Sequence, residues 1–175
     1  MTRNPEQAQL APALNNQVAA AHKTALILVL TFAVSIVIYM GVGVLTLNLR
    51  GASTQAEVPY AFYGAAAALA IASILLRRAQ LHRMKLEVVA VSRGVEGLIK
   101  HLLNATIFAG ALAEVIGVLA LVVAFFGGGQ NDVIRLSVVG LAVSLYNYPR
   151  RSAWERAVYY FAATKPNASA GALGL

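Results

Sequence analysis

The chain has 175 residues, of which 59% are hydrophobic and only 12% are charged. Soluble domains are about 25% charged, so this composition indicates a protein whose main solvent is lipid. The 14 Lys and Arg residues against 7 Asp and Glu then suit anionic headgroups, and we expect the lipid bilayer rather than nucleic acid as a partner. The absence of cysteine excludes a disulfide framework, thiolate metal sites and a thiol nucleophile.

Four long apolar segments predict four membrane-spanning helices. A helix rises about 1.5 Å per residue, so about 20 residues cross a hydrocarbon core of roughly 30 Å. The predicted spans cover residues 24–49, 58–76, 102–126 and 133–149. The expected fold class is therefore all-α, an integral membrane four-helix protein whose second and third spans form a central hairpin.

The segments between and around these spans are polar. Residues 1–23 lack the features of a secretory signal and are predicted to be a tail. Residues 77–101 carry apolar residues three and four apart, which predicts an amphipathic helix at the membrane surface, or two helix extensions folded together, with a bend at Gly94 or Gly97. Residues 150–175 are predicted to begin with an interfacial helix and to end in a tail; its aromatic anchors are Trp154, Tyr159, Tyr160 and Phe161.

The distribution of basic residues predicts the topology. Two bases precede the first span, six lie between the second and third spans, and four follow the fourth. The other two, Arg50 and Arg135, lie at the opposite ends of the spans. Basic residues concentrate on the cytoplasmic side of membrane proteins. We therefore expect a multi-pass protein of a bacterial-type inner membrane, with both termini and the central segment in the cytoplasm.

Glu114 is the acidic residue that this arrangement places in mid-membrane. It lies about 12 residues, or roughly 18 Å of helix, from either end of its span, which is too far for a glutamate to reach the interface. An apolar medium favours the neutral form of a carboxyl group, because the charged form loses its hydration. We therefore predict Glu114 as a proton-binding or ion-binding residue.

Small residues follow one face of the same helix. These small residues recur at intervals of three and four and form a seam along the helix: Thr106, Gly110, Ala113, Gly117, Ala120 and Ala124. Glu114 lies beside this seam. Small residues allow a second helix to approach closely. The second span offers a matching surface of small residues between Gly64 and Ser73. We therefore expect helices two and three to pack as a tight hairpin, with Gly110, Ala113 and Gly117 packing around the site.

The segment Ala111-Leu112-Ala113-Glu114, followed by Gly117-Val118 and by the run from Leu121 to Phe125, resembles the carboxylate-bearing helix of the c subunit (proteolipid) of rotary F-type and V-type ATP synthases. The resemblance implies copies assembled in a ring. It also implies that each glutamate takes a proton or sodium ion from one half-channel and releases it to another, past a stator arginine. The loop here lacks the family's Arg-Gln/Asn-Pro turn, and two further helices flank the hairpin.

The leading hypothesis is thus proton or cation translocation through Glu114, in a homo-oligomer or larger membrane complex. One alternative is a non-transporting accessory or scaffold subunit, and another is a small proton-coupled transporter. A purely structural Glu114 would be hydrogen-bonded to a neighbouring helix, with candidate partners Thr31, Ser35, Asn48, Ser137 and Ser144. We expect no enzyme activity, cofactor or metal, because the sequence contains no catalytic, phosphate-binding or zinc-binding motif.

Two further groups of polar residues lie near the ends of the spans. Asp132 and Arg135 are three residues apart, which predicts a surface pair at the start of a helix. His22, His82 and His101 are widely separated in the sequence and do not show the spacing of metal ligands. Neither group is predicted to form a functional site.

Overall fold

A computed structural model describes residues 5–50 and 60–164 of the chain. These residues form five helices and no strand, which confirms the all-α class: α1 Pro5–Arg50, α2 Tyr60–Gln80, α3 Arg83–Phe125, α4 Gln130–Tyr146 and α5 Arg151–Thr164. The predicted start of the second span at residue 58 and the tail beyond residue 164 lie outside the described residues.

Three of the helices are long and apolar enough to cross a membrane. They contain the segments Leu14–Arg50, Tyr60–Gln80 and Met84–Phe125. At 17 residues, α4 is shorter than each of these segments. By length and composition, the described chain thus has three candidate membrane spans, which is compatible with a membrane protein.

The prediction of a tail before residue 24 is wrong for the described part of that segment, because α1 begins at Pro5. The reason is an apolar stripe that continues the span toward the N-terminus. Leu14, Val18, Ala21 and Ala25 follow one another at spacings of four, three and four, and Val18 and Ala25 are buried. Such a stripe favours a helix over a tail whatever the polar residues on the other faces.

The segment predicted to be amphipathic, residues 77–101, is built from two helix extensions. Only Leu81 and His82 separate the end of α2 from the start of α3. Gly94 then interrupts α3 with φ 67° and ψ −171°, a conformation that is essentially restricted to glycine. The predicted bend is confirmed at Gly94, and it divides α3 into a short and a long helical segment.

The chain forms two compact units. Unit one comprises the chain up to Ile27, the segment Ala79–Ala105 and the chain from Pro149 onward. Its core combines residues of α1, α3 and α5, among them Val18, Ala25, Leu86, Ala90, Leu98, Trp154, Val158 and Phe161. Trp154 and Phe161 are therefore core residues, and the prediction that they anchor the chain in the interface is wrong. They lie seven residues apart on one face of α5, with Val158 between them, and this face packs inward.

Unit two comprises Leu28–Arg78 and Thr106–Tyr148. In this unit α1 and α3 run parallel, because Phe32 lies against Gly110 and Ile36 lies against Gly117. Likewise α2 and α4 run parallel to each other: the Tyr63 hydroxyl donates to Asp132 near their starts, and the Arg77 guanidinium donates to the carbonyl of Tyr146 at their ends. Four helical segments thus lie side by side.

Candidate functional site

The site is organised by the close approach of α1 to α3. A Cβ atom on Gly110 would lie 2.5 Å from Cδ2 of Phe32, and one on Gly117 would lie 2.8 Å from Cγ1 of Ile36. Both distances are shorter than real Cβ contacts, so a larger residue at either position requires the α1 side chain or the helices to shift. The glycines of the small-residue seam bring the backbone of α3 against the side chains of α1.

Glu114 lies beside this contact and is half-buried. The hydroxyl of Tyr39, on α1, donates a hydrogen bond to its Oε1 at 3.2 Å. The ion pairs between described residues, Lys100 with Glu96 and Arg151 with Glu155, do not involve Glu114. In the described part of the chain, the carboxyl group is thus held by a neutral donor and not by a cation.

Glu114 is at the edge of the helix contact. Gly110, Glu114 and Val118 follow one another at intervals of four residues. Because an α-helix has about 3.6 residues per turn, each of them points slightly further around the helix than the one before. Gly110 is buried against α1, whereas Val118 is 38% exposed, so Glu114 marks the border between the two environments. From the other side, α4 approaches α3: a Cβ atom on Gly140 would lie 3.2 Å from the carbonyl oxygen of Ala113.

Sequence reasoning missed Tyr39. The sequence offers small polar residues as partners. The structure places two of them, Ser137 and Ser144, on the buried face of α4, where their hydroxyls have no hydrogen-bond partner among the described residues. A signal for Tyr39 was present, because this tyrosine lies in mid-span, whereas tyrosines of membrane helices concentrate at the interfaces. In these parallel helices Ile36 lies beside Gly117, so Tyr39 lies about 4.5 Å beyond that level and Glu114 about 4.5 Å before it. The long tyrosine side chain spans this offset to reach Glu114.

The predicted packing partner of the seam requires a correction. Gly110 and Gly117 face α1, and Ala113 lies against α4, whereas the sequence indicated α2. On α2 the small-residue run is largely exposed, and a Cβ atom on Gly64 would meet nothing within 4 Å. Ala66 and Ser73 are the buried members of that run. A run of small residues permits close packing but does not specify which helix uses it.

Buried polar groups join α2, α3 and the end of α4 at one end of unit two. The Ser73 hydroxyl donates to the carbonyl of Ala109 at 3.2 Å and accepts a hydrogen bond from the Asn147 amide at 2.8 Å. The Arg77 guanidinium donates to carbonyl oxygens in the last residues of α4 and just beyond, including that of Tyr148 at 3.1 Å. A cation placed at the C-terminal end of a helix is stabilised by the helix dipole.

At the other end of unit two, Asp132 lies in the first turn of α4. Its Oδ2 accepts a hydrogen bond from the backbone N–H of Gly129 at 3.1 Å, and its Oδ1 accepts one from Tyr63. Neither of the ion pairs found in residues 5–50 and 60–164 joins Asp132 to Arg135. The predicted surface pair is therefore wrong, because the carboxylate satisfies a backbone N–H that the helix leaves unpaired.

The described contacts of Glu114 bring together one carboxyl group and one phenol. Among the described residues there is no group of three or more His, Cys, Asp or Glu side chains that could hold a metal ion. Carboxyl groups inside membrane spans are a common feature of pathways for protons and ions.

Comparison of the chain with protein-family models, with curated proteins and with solved structures returned no match.

Proposed function

We propose that the protein is a multi-pass membrane protein that carries protons across the membrane through Glu114. The observation behind this proposal is a half-buried carboxyl group in an apolar helix, hydrogen-bonded to the Tyr39 hydroxyl and outside the ion pairs of the described chain. Carboxyl groups in membrane spans are costly to bury and commonly take part in proton transfer. A sodium ion is the second candidate cargo.

The arrangement of α4 supports a fourth span. Its contacts with α2 begin at the Tyr63–Asp132 pair and end at Arg77 and Tyr146. Between these contacts each helix contributes the same length of chain, so α4 extends as far along unit two as the central part of α2. This correspondence supports α4 as a fourth span beside α2. The positions of the basic residues then put both termini in the cytoplasm.

The edge position of Glu114 supports an oligomer or a larger complex as the working form. A carboxyl group enclosed by its own bundle would need an internal pathway for protons. Glu114 instead lies between buried Gly110 and exposed Val118, where a neighbouring subunit can reach it. This is the setting that the resemblance to the ATP synthase c subunit implies, in which a second subunit provides the proton pathways.

Reaction with a hydrophobic carbodiimide tests the proposal, because the reagent modifies protonated carboxyl groups in apolar surroundings. The membrane-embedded protein is treated at several pH values, and the modified residue is located by mass spectrometry. We expect labelling of Glu114 that falls as the pH rises, and no labelling of that peptide in Glu114→Gln. The matched control is Glu96→Gln, which removes an exposed carboxylate already paired with Lys100.

Two outcomes would contradict the proposal. If Glu114 does not react at any pH, the carboxyl group is inert and a scaffold role is favoured. If Glu114→Gln conducts protons into sealed vesicles as fast as the wild type, the residue is not on the proton pathway. Native electrophoresis in mild detergent separates the two assembly states, since a ring migrates as one large species and a monomer or dimer does not.

A further inference from the structure

Unit one contains an open groove between the end of α2 and both parts of α3. Its cavity has a volume of about 290 Å³ and is lined by Gln80, Met84, Lys85, Val88, Val89 and His101. The His101 Nε2 atom donates to the carbonyl oxygen of Gln80 at 3.2 Å, which ties the end of α2 to α3 across the groove. The lining is mostly apolar, with one lysine.

The short helical segment before Gly94 is apolar on two opposite faces. Leu86 and Ala90 are buried in the core of unit one. On the other face, Met84 and Val88 are 71% and 67% exposed, and Val91 continues the same stripe. Exposed apolar stripes of this kind mark binding surfaces or contacts with lipid. The groove runs alongside the exposed stripe and shares Met84 and Val88 with it.

The charge of this region identifies the chemistry of the occupant. Residues 77–101 contain six basic and two acidic residues. Lys100 is paired with Glu96 at 2.6 Å, whereas the ion pairs within the described ranges do not include Lys85. Glu87 is two residues from Lys85, a spacing that places it on a different side of the helix. The groove therefore places the positive charge of Lys85 next to the apolar side chains of Met84, Val88 and Val89.

We propose that this groove binds an anionic phospholipid. The phosphate group pairs with the Lys85 ammonium, and an acyl chain lies along Met84 and Val88. Basic groups beside an apolar helix face attract anionic lipids, because the charge is satisfied at the headgroup while the chain covers the apolar surface. The site lies in unit one, and it does not depend on the proposed role of Glu114.

Native mass spectrometry of the detergent-purified protein tests the site. The probes are phosphatidylglycerol and phosphatidylcholine, which differ in charge but not in chain length when matched. We expect phosphatidylglycerol to be retained more strongly, and Lys85→Gln to weaken its binding about fivefold, the value of one cation near an anionic surface. Lys100→Gln is the control, because that lysine is equally basic but already paired with Glu96.

A second variant tests the apolar wall. Val88→Ser should weaken the binding of both lipids, since it removes chain contacts and leaves Lys85 in place. Fluorescence of Trp154, the one tryptophan of the chain and part of the core of unit one, verifies that each variant is folded. Equal losses in Lys85→Gln and Lys100→Gln would overturn the proposal. Full competition by inorganic phosphate would also overturn it, because the acyl chain would then contribute nothing.

Discussion

At the scale of single residues, the proposed function depends on the hydrogen bond between Tyr39 and Glu114. A phenol O–H donates to the carboxyl group, and such a bond is stronger when the acceptor is charged. Loss of the Tyr39 hydroxyl is therefore expected to change the reactivity of the Glu114 carboxyl group.

Replacing Tyr39 with phenylalanine should make the Glu114 carboxyl group react faster with carbodiimide. The ring is kept, but the donor that stabilises the charged form is lost. We expect carbodiimide labelling of Glu114 near neutral pH to become roughly two- to tenfold faster, corresponding to about 0.5–1.5 kcal/mol for one hydrogen bond. The rate is measured by mass spectrometry over time.

Tyr60→Phe is the control for this variant, because Tyr60 is exposed at the start of α2. It should label at the wild-type rate. Slower labelling of Glu114 in Tyr39→Phe would show that the hydroxyl stabilises the neutral carboxyl group instead, and would contradict the expected direction.

At the scale of helices, glycine decides how closely α1 and α3 approach. Gly110 and Gly117 are seven residues apart, and each lies against an α1 side chain at a distance that excludes a Cβ atom. Without a large hydrophobic driving force in lipid, helices associate through such close packing. The same geometry brings Tyr39 to Glu114, so the packing of these helices and the chemistry of the site are coupled.

Gly110→Ala tests this packing. The added Cβ would lie 2.5 Å from the ring of Phe32, and overpacking of this kind costs about 1–3 kcal/mol. We expect a corresponding loss of stability in reversible unfolding in mixed detergent micelles. Gly41→Ala is a matched control on α1, where nothing lies within 4 Å of the new Cβ; it should be neutral or stabilising by up to about 1 kcal/mol.

The origin of the effect is tested by a double variant. Phe32→Leu in the Gly110→Ala background should recover part of the lost stability, because it removes the ring that the new methyl group meets. If Gly110→Ala is as stable as Gly41→Ala, the helices do not pack at this distance, and the positioning of Tyr39 needs another explanation.

At the scale of the whole molecule, the distribution of charge predicts the arrangement in the membrane. Basic residues lie before the first predicted span, around the connection of α2 to α3 and after α4. Lipid bilayers tolerate spans but resist the translocation of nearby basic residues, which fixes the orientation of a multi-pass protein. The termini and the α2–α3 connection should therefore share one side, and the α3–α4 turn should be on the other.

Single cysteines test this topology directly, because the natural chain contains none. Ser92 and Asn131 are exposed and lie at opposite ends of the predicted spans. A membrane-impermeant maleimide should label Asn131→Cys in intact cells, and should label Ser92→Cys only after the membrane is permeabilised. Labelling of Ser92→Cys from outside would reverse the topology. Labelling of both from one side would contradict a membrane-spanning α3, because only the long part of α3 separates the two positions.

Much of the fold was predictable because it depends on local pattern. Long apolar runs at helical length predicted the all-α class, and the glycine at position 94 predicted the bend of α3. The extent of α1 was predictable in principle from the stripe that begins at Leu14. It was missed because the polar residues on the other faces suggested a tail, although one apolar face is enough to hold a helix against a core.

The sequence by itself determined where the apolar helices are, which acidic residue lies among them and where small residues permit close packing. Only the tertiary structure decided which helices use that packing: the seam faces α1 and α4, Tyr39 reaches Glu114, and Trp154 belongs to a core. The physical reason is that periodicity assigns a residue to a face of its own helix, whereas the partner of that face depends on how several helices pack together.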